Sequence, residues 1–258
     1  MVEPIGLVQM AAAYMLLLAV FFLAFSNSLK ISKELLVASL RMTIQLFAAG
    51  LLLKYVFRIN FWYTSLLVLL LMIGSAVHVV MGRIKVKIRH LSAILFLSIA
   101  AGSISVLAVF LFAIVHHVPW YDARYFVPIG GMIVGNSMTA CALVTERFTS
   151  EIYGNRQMIE TSLALGATYK EASIKAFRAA YRAALLPTIA SMTGMGIVHL
   201  PGMMTGQIIS GVEPVLAVRY QIAIILAILS SAALSCLTVL YLQRGMLFNK
   251  YHQIIMPE

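Results

Sequence analysis

Apolar residues run through this chain in blocks of about twenty, and the polar residues gather in the gaps between them. A hydrocarbon core about 30 Å thick needs roughly 20 mostly apolar residues per helical crossing, so each block reads as a span. The blocks fall at about residues 7–25, 35–57, 64–81, 91–115, 126–144, 185–210 and 217–242. The pattern predicts an all-α integral membrane protein, one transmembrane domain over residues 1–258 with about seven transmembrane helices. Between the fifth and sixth blocks lies a long polar stretch, about residues 146–184, written in good helix formers. It predicts a helix–turn–helix outside the bilayer. The first helix carries Glu151, Arg156 and Glu160 on one solvated flank, and Gly166 ends it. Thr168 caps the second helix with Glu171 three residues on, a TxxE capping box. That second helix, about residues 169–186, places Lys175, Arg178 and Arg182 on neighbouring turns.

Composition supports lipid as the solvent. The chain is 62% hydrophobic and 11% charged, whereas a soluble domain carries about 25% charged residues to cover its surface. The net charge of +10 resides in short gaps between apolar blocks, as the positive-inside rule expects. A nucleic-acid footprint would be a basic face on a chain without spans, so nucleic acid is excluded as a partner. Lys30 and Lys33, the basic loop 83–89, the segment 147–182 and the tail with Arg244 and Lys250 fall on one side. Glu3, Arg58, Asp122, Arg124 and Glu213 fall on the other. The basic side is cytoplasmic, which places the N-terminus outside and the C-terminus in the cytoplasm of a multi-pass inner (plasma) membrane protein. Trp62 and Tyr63 read as an interfacial anchor. The opening MVEPIGLVQM lacks a basic n-region, so the first block reads as a span rather than a cleaved signal.

Chemistry concentrates in the sixth block. In LPGMMTGQ, Pro201 removes a backbone donor and, with Gly202 and Gly206, bends or unwinds the helix. Broken backbone at membrane depth is tolerated where it faces protein or a water-filled cavity. Met192, Met195, His199, Met203 and Met204 surround the break, and Glu213 follows. Two readings stay open. One is a hinge whose methionines fill gaps between helices; the other is a cation pathway with His199, Glu213 and Met195 as metal ligands. Thioethers suit copper(I) better than iron.

Polar residues inside spans are functional candidates by default. Arg41 and Gln45 lie one helical turn apart on one face, either lining a pathway or, for Arg41, snorkelling to the headgroups. His78 lies near the same side and reads as solvated or helix-bonded. Asn136 is either polar glue between helices or part of the translocation route. His116 and His117 are loop residues whose side chains point apart. Cys141 and Cys236 have neither zinc nor CxxC spacing and read as small buried hydrophobes. No nucleophile triad, HExxH motif or carboxylate pair supports an enzyme, and no cofactor is expected on this chain.

The stretch ETSLALGAT, residues 160–168, resembles the EAA-type coupling loop of ABC transporter permeases, with Thr161 and Ser162 where two alanines are usual. Leu186-Pro187 comes later than that pattern's Leu-Pro. Together with GATYKEA, LPGMMTGQIISGVEPVLAVRYQI, RMTIQLFAAGLLLKYVF and PIGGMIVGNSMTA, nearly the whole chain looks like the FetB-type permeases of bacterial iron-export ABC transporters. Plant half-transporters linked to aluminium tolerance are relatives of that group. The resemblance implies a permease subunit, homodimeric, joined to two cytoplasmic ATP-binding subunits that carry ATP and Mg. The absence of a GxxxxGKS or GxxxxGKT phosphate loop agrees. It also implies that Glu160, Gly166, Ala167, Thr168 and Tyr169 contact the ATPase. Pro201, Gly202, Met203, Met204, Gly206, Asn136 and Gln45 then line the hinge or pathway, with iron or another metal ion as the solute.

Three rivals remain. A nucleotide-sugar permease needs a wider, more polar cavity. A secondary transporter needs intramembrane carboxylates, which the spans nearly lack. A membrane scaffold uses the charged segment to bind a partner without solute flux.

Overall fold

The computed structural model describes residues 6–27, 31–84, 90–116, 118–249 and 253–255. Ten α-helices form among them: α1 Leu7–Ser26, α2 Ser32–Ile59, α3 Trp62–Arg83, α4 Leu91–Val109, α5 Ala123–Gly154, α6 Arg156–Ala164, α7 Tyr169–Ala172, α8 Ile174–Gly194, α9 Gly202–Ile209 and α10 Pro214–Met246. A wider, π-type winding over Phe110–Val115 continues α4. No β-strand forms among the described residues; there are two isolated bridges. Six helical segments are long and apolar enough to cross a membrane: Val8–Ser26, Ser32–Ile59, Trp62–Arg83, Leu91–Val115, Ala123–Gly154 and Pro214–Met246.

The chain packs as two compact units, the first covering residues 1–59 with 209–211 and the second the remainder. In the first, α1 and α2 form a hairpin pinned by Tyr14 Oη and Thr43 Oγ1 at 2.6 Å. Most of its leucines, phenylalanines and valines are exposed, as expected of helices solvated by acyl chains. Gln45 and Arg41 are exposed on α2. Glu3, Lys30, Lys85, Lys87, Arg89, His117 and Lys250 lie outside the described residues.

The second unit is built around α5 and α10. Ser137 and Ser231 hydroxyls meet at 2.7 Å, and Gln243 Nε2 donates to Thr149 Oγ1 at 2.9 Å. Both pairs are 94 residues apart, so the two helices run parallel and in register. Hydroxyl bonds between membrane helices contribute about 0.6 kcal/mol each, so register here rests on packing as much as on polar pairing. Gly102 of α4 makes the closest approach: a Cβ there would lie 2.9 Å from the Ser231 carbonyl oxygen and 3.0 Å from the Ser235 nitrogen. Further along, Phe110 and Ile114 face Ala223 and Arg219, so α4 runs against α10. Ser65 of α3 donates to the Tyr121 carbonyl at 2.8 Å, and Leu69 packs on Gly130, which aligns α3 with α5. Finally, α8 begins beside the end of α10, where Arg244 Nε donates to Ser173 Oγ at 2.8 Å. Met192, near its other end, faces Gln221 and Ile222. Thus α8 runs against both α5 and α10.

One expected span takes a different course. Residues 185–210 are not a continuous crossing: α8 starts earlier, passes through Pro187 and ends at Gly194, and α9 is a separate eight-residue helix. Gly196 at φ +83 and the missing donor at Pro201 interrupt the ladder between them. Lys175, Arg178 and Arg182, all exposed on its first half, keep α8 itself out of the apolar set. Two boundaries also move. The fifth helix continues to Gly154, about 48 Å at 1.5 Å per residue, well beyond a hydrocarbon core of about 30 Å. The second helix of the polar stretch is interrupted at Ser173 and then extends to Gly194.

Candidate functional site

Two places gather the residues singled out by sequence. The first is the elbow between α6 and α7. Ile159 anchors α6, being 2% exposed, while Arg156 Nε pairs with Glu160 Oε1 at 2.6 Å along its half-exposed flank. Gly166, at φ +94, ends the helix in a Schellman motif. Its N–H donates to the Leu163 carbonyl at 3.0 Å, and the Ala167 N–H donates to that of Ser162 at 3.1 Å. An L-residue is disfavoured at that φ, so glycine is required by the turn itself. Two residues on, the capping box forms as read. Thr168 Oγ1 accepts from the Glu171 N–H at 3.3 Å, and Glu171 Oε2 accepts from the Thr168 N–H at 2.8 Å. Those bonds, first the backbone N–H and then the hydroxyl, hold the Glu171 carboxyl below its ordinary range. Both helix ends are therefore closed within four residues of each other, which makes the turn stiff. At its tip Leu165 is 84% exposed, next to exposed Ala164 and Gly166. Tyr169 turns inward and packs on Phe248 at 5.6 Å between ring centroids.

The second place is the broken segment. Met192, Met195, Gly196, Pro201 and Met204 line a cavity of about 380 Å³ against Val218, Gln221, Ile222, Ile225 and Leu226 of α10. Ile225 also borders a second cavity of about 150 Å³, with Asn136, Thr139, Pro187, Thr188 and Ser191 around it. Asn136 Nδ2 donates to the Met132 carbonyl at 2.9 Å, leaving its amide oxygen beside that space.

Neither His199 nor Glu213 lines the larger cavity. The His199 ring lies against Gly194, its Nδ1 3.6 Å from where a Cβ would stand, and Glu213 is the exposed N-cap of α10. Met203 and exposed Gly202 and Gly206 lie on α9 outside the lining. Among the described residues no group of three or more His, Cys, Asp or Glu side chains converges as a metal site. The donors that do share the cavity are three thioethers and Gln221, whose Oε1 is buried without a partner.

Three features were not legible in the sequence. Cys141 on α5 and Cys236 on α10 are both fully buried, and their side chains lie beside each other between the two helices. Only the parallel register of α5 and α10 brings them together. Gln221 sits on an apolar helix without a motif. Arg244 reads as a tail cation but is only 6% exposed, tucked against Ser173.

Comparison with known proteins matches this arrangement to relatives. The model of "Uncharacterised protein family (UPF0014)" matches residues 7–248. "UPF0014 membrane protein slr1647" of Synechocystis sp. is 37% identical over 89% of this chain and 88% of that protein. "Probable iron export permease protein FetB" of Escherichia coli is 33% identical over 97% and 95%. "Protein ALUMINUM SENSITIVE 3" of Arabidopsis thaliana is 30% identical over 96% and 90%. No solved structure matches. With the family model spanning nearly the whole chain and long apolar helices throughout, the protein is a multi-pass membrane protein of the UPF0014 family.

Proposed function

We propose that this chain is the permease subunit of an ATP-driven ABC exporter of a small solute, with a metal ion, iron foremost, as the cargo. The observation that carries the reading is the elbow: a turn stiffened at both helix ends, presenting Leu165 beside a glycine held at a left-handed φ that strains any other residue. A stiff, exposed, partly apolar tip is what a cleft on a partner grips. The partner is a cytoplasmic ATP-binding subunit carrying ATP and Mg, and two permeases pair with two such subunits.

Helix direction supports the topology. Because α5 and α10 run parallel, the chain must cross back between them, and α8 is the helix that runs the opposite way. This helix, 21 residues long and about 31 Å, enters the bilayer beyond Arg182, whose long side chain snorkels back to the headgroups. Counted with the six apolar segments it makes seven crossings. The elbow, Arg147, Arg178, Arg182 and the end of α10 then share one side, cytoplasmic by the positive-inside rule, with the N-terminus outside.

Iron as cargo rests on likeness to the Escherichia coli relative named as an iron export permease. Thioethers are softer donors than iron prefers, and Gln221 offers only one neutral amide oxygen, so these groups serve as passing contacts along the route. The test is co-purification of an ATP-binding subunit from the same genome, with wild type and Gly166→Trp. Capture by wild type and loss in the variant is the expected result. A folded wild type that captures no ATP-binding subunit overturns the reading.

A further inference from the structure

Phe248, just past α10, packs beside the elbow. Arg244, near the end of α10, donates from Nε to Ser173 Oγ at 2.8 Å, and Ser173 Oγ in turn donates to the Tyr169 carbonyl at 2.6 Å. The guanidinium carbon lies 5.4 Å from the Phe177 ring centroid and 6.0 Å from that of Tyr169. Beyond it, Phe248 stacks on Tyr169 and bridges to Ile254. Tyr153, at the far end of α5, donates to the Ile255 carbonyl at 3.0 Å. One Arg244 side chain thus touches the residue where α7 gives way to α8 and a ring from each helix.

Arg244 is held in an unusual way. Its Nη2 is buried without a hydrogen-bond partner, and among the described residues no carboxylate pairs with it. A buried cation without a counter-charge is a poor stabiliser, and apolar replacement of such groups is often neutral for folding. Rigid three-way contact is what the group supplies: the planar guanidinium stacks and donates in fixed directions.

We propose that Arg244 is the positioning residue that ties the coupling elbow to α10, with Phe248 packed on Tyr169 beside it, so that movement of the elbow reaches the broken segment along α10. The inference rests on the reading of the chain as an ATP-driven permease. Elbow motion delivered at Ser173 shifts α8 and α10 together at the cytoplasmic end. The two helices meet again at the far end, where Met192 and Met195 face Gln221 and Ile222 across the cavity.

The experiment uses the full chain co-purified with its ATP-binding subunit, in a Cys141→Ser, Cys236→Ser background. A single cysteine replaces Ile197, which is 91% exposed in the broken segment. Maleimide labelling at that position is timed without nucleotide and after trapping with ATP and vanadate. With Arg244 present, trapping changes the rate at least threefold. Arg244→Met keeps capture and ATP hydrolysis, but the change falls below about 1.5-fold; Arg244→Lys, which keeps charge without the planar fork, restores little. Ser173→Ala, a mild change at the same contact, halves the response and decides the matter if Arg244→Met does not fold. A response in Arg244→Met, or failing that in Ser173→Ala, equal to the parent overturns the link while leaving the permease reading intact. A parent that binds the subunit yet shows no change on trapping also overturns the link alone. A parent that captures no ATP-binding subunit overturns both.

Discussion

The elbow after α6 and the break after α8 are both turns that hinge on a glycine in the left-handed region, yet they are built in opposite ways. At the elbow, Gly166 is followed within two residues by a side-chain cap, and α6 carries an ion pair. At the break, backbone bonds close the turn: the Met195 N–H donates to the Met192 carbonyl at 3.3 Å, the Val198 N–H to that of Gly194 at 2.9 Å and the Gly196 N–H to that of His199 at 3.0 Å. Ile197 and Val198 stand 91% and 81% exposed. The elbow adds a side-chain capping box and an ion pair to its backbone bonds; the break has backbone bonds and a lining of flexible methionines. Directional bonds make a lever that keeps its shape under load. Adaptable thioether packing makes a joint that yields.

The largest expected effect comes from attacking the lever's tip. Under the proposed docking, Leu165→Glu places a charge where an apolar anchor would enter a partner cleft, and loss of such an anchor costs about 2–4 kcal/mol of binding. Capture of the ATP-binding subunit should fall at least about thirtyfold by that energy, with unchanged membrane insertion; a titration of the two purified subunits measures it. Next comes a lesion far from both turns. Gly102→Ala forces a methyl against the α10 backbone, an overpacking cost of about 1–3 kcal/mol. Its melting midpoint should drop while capture per folded molecule stays at the wild-type level, separating damage to the fold from damage to the lever.

A matched pair sharpens the contrast further. Gly166→Ala and Gly196→Ala each impose left-handed strain of about 1–2 kcal/mol, and neither new methyl meets an atom within 4 Å. The first should lower capture roughly fivefold or more, on that energy scale; the second should leave capture alone and slow transport only. Equal effects of the two on capture would erase the distinction between lever and joint.

The smallest effect is a pH dependence. The Glu171 carboxyl is depressed by the capping bonds. Its stabilisation of the elbow is therefore fully present above the ordinary carboxylate range, about pH 4.3, and is lost as pH falls through the depressed folded value. Amide exchange at Thr168 should stay slow from neutral pH to the lower end of that range, then speed up below it. In Glu171→Gln the acid step should vanish.

The sequence carried the lever better than the joint, for a physical reason. Helix caps are local: Thr168 and Glu171 are three residues apart, and Gly166 announces a left-handed turn, so the elbow could be read residue by residue. Apolar periodicity likewise located five of the six long helices to within a few residues at most ends, though α5 overran its span because Glu146 to Glu151 continue in good helix formers. The joint depends on what the helices face. Residues 185–210 are apolar enough for a span, and only the structure shows that α8 runs from 174 to 194, opposite to α5 and α10, and that the chain loops before α9. The same applies to Gln221 opposite Met192, to the Cys141–Cys236 pair and to Arg244 under Ser173. Each is a contact across some 30 to 95 residues, fixed by helix register rather than by any local pattern.

The most direct test places a cysteine crosslinker at each turn in the Cys141→Ser, Cys236→Ser background, once at Leu165 and once at Ile197. Both positions are highly exposed, so reactivity alone does not favour either. A crosslink to the ATP-binding subunit from position 165 and none from position 197 is the predicted outcome. Crosslinking from position 197, or from neither position while the complex stays intact, would contradict the assignment of the elbow as the docking lever.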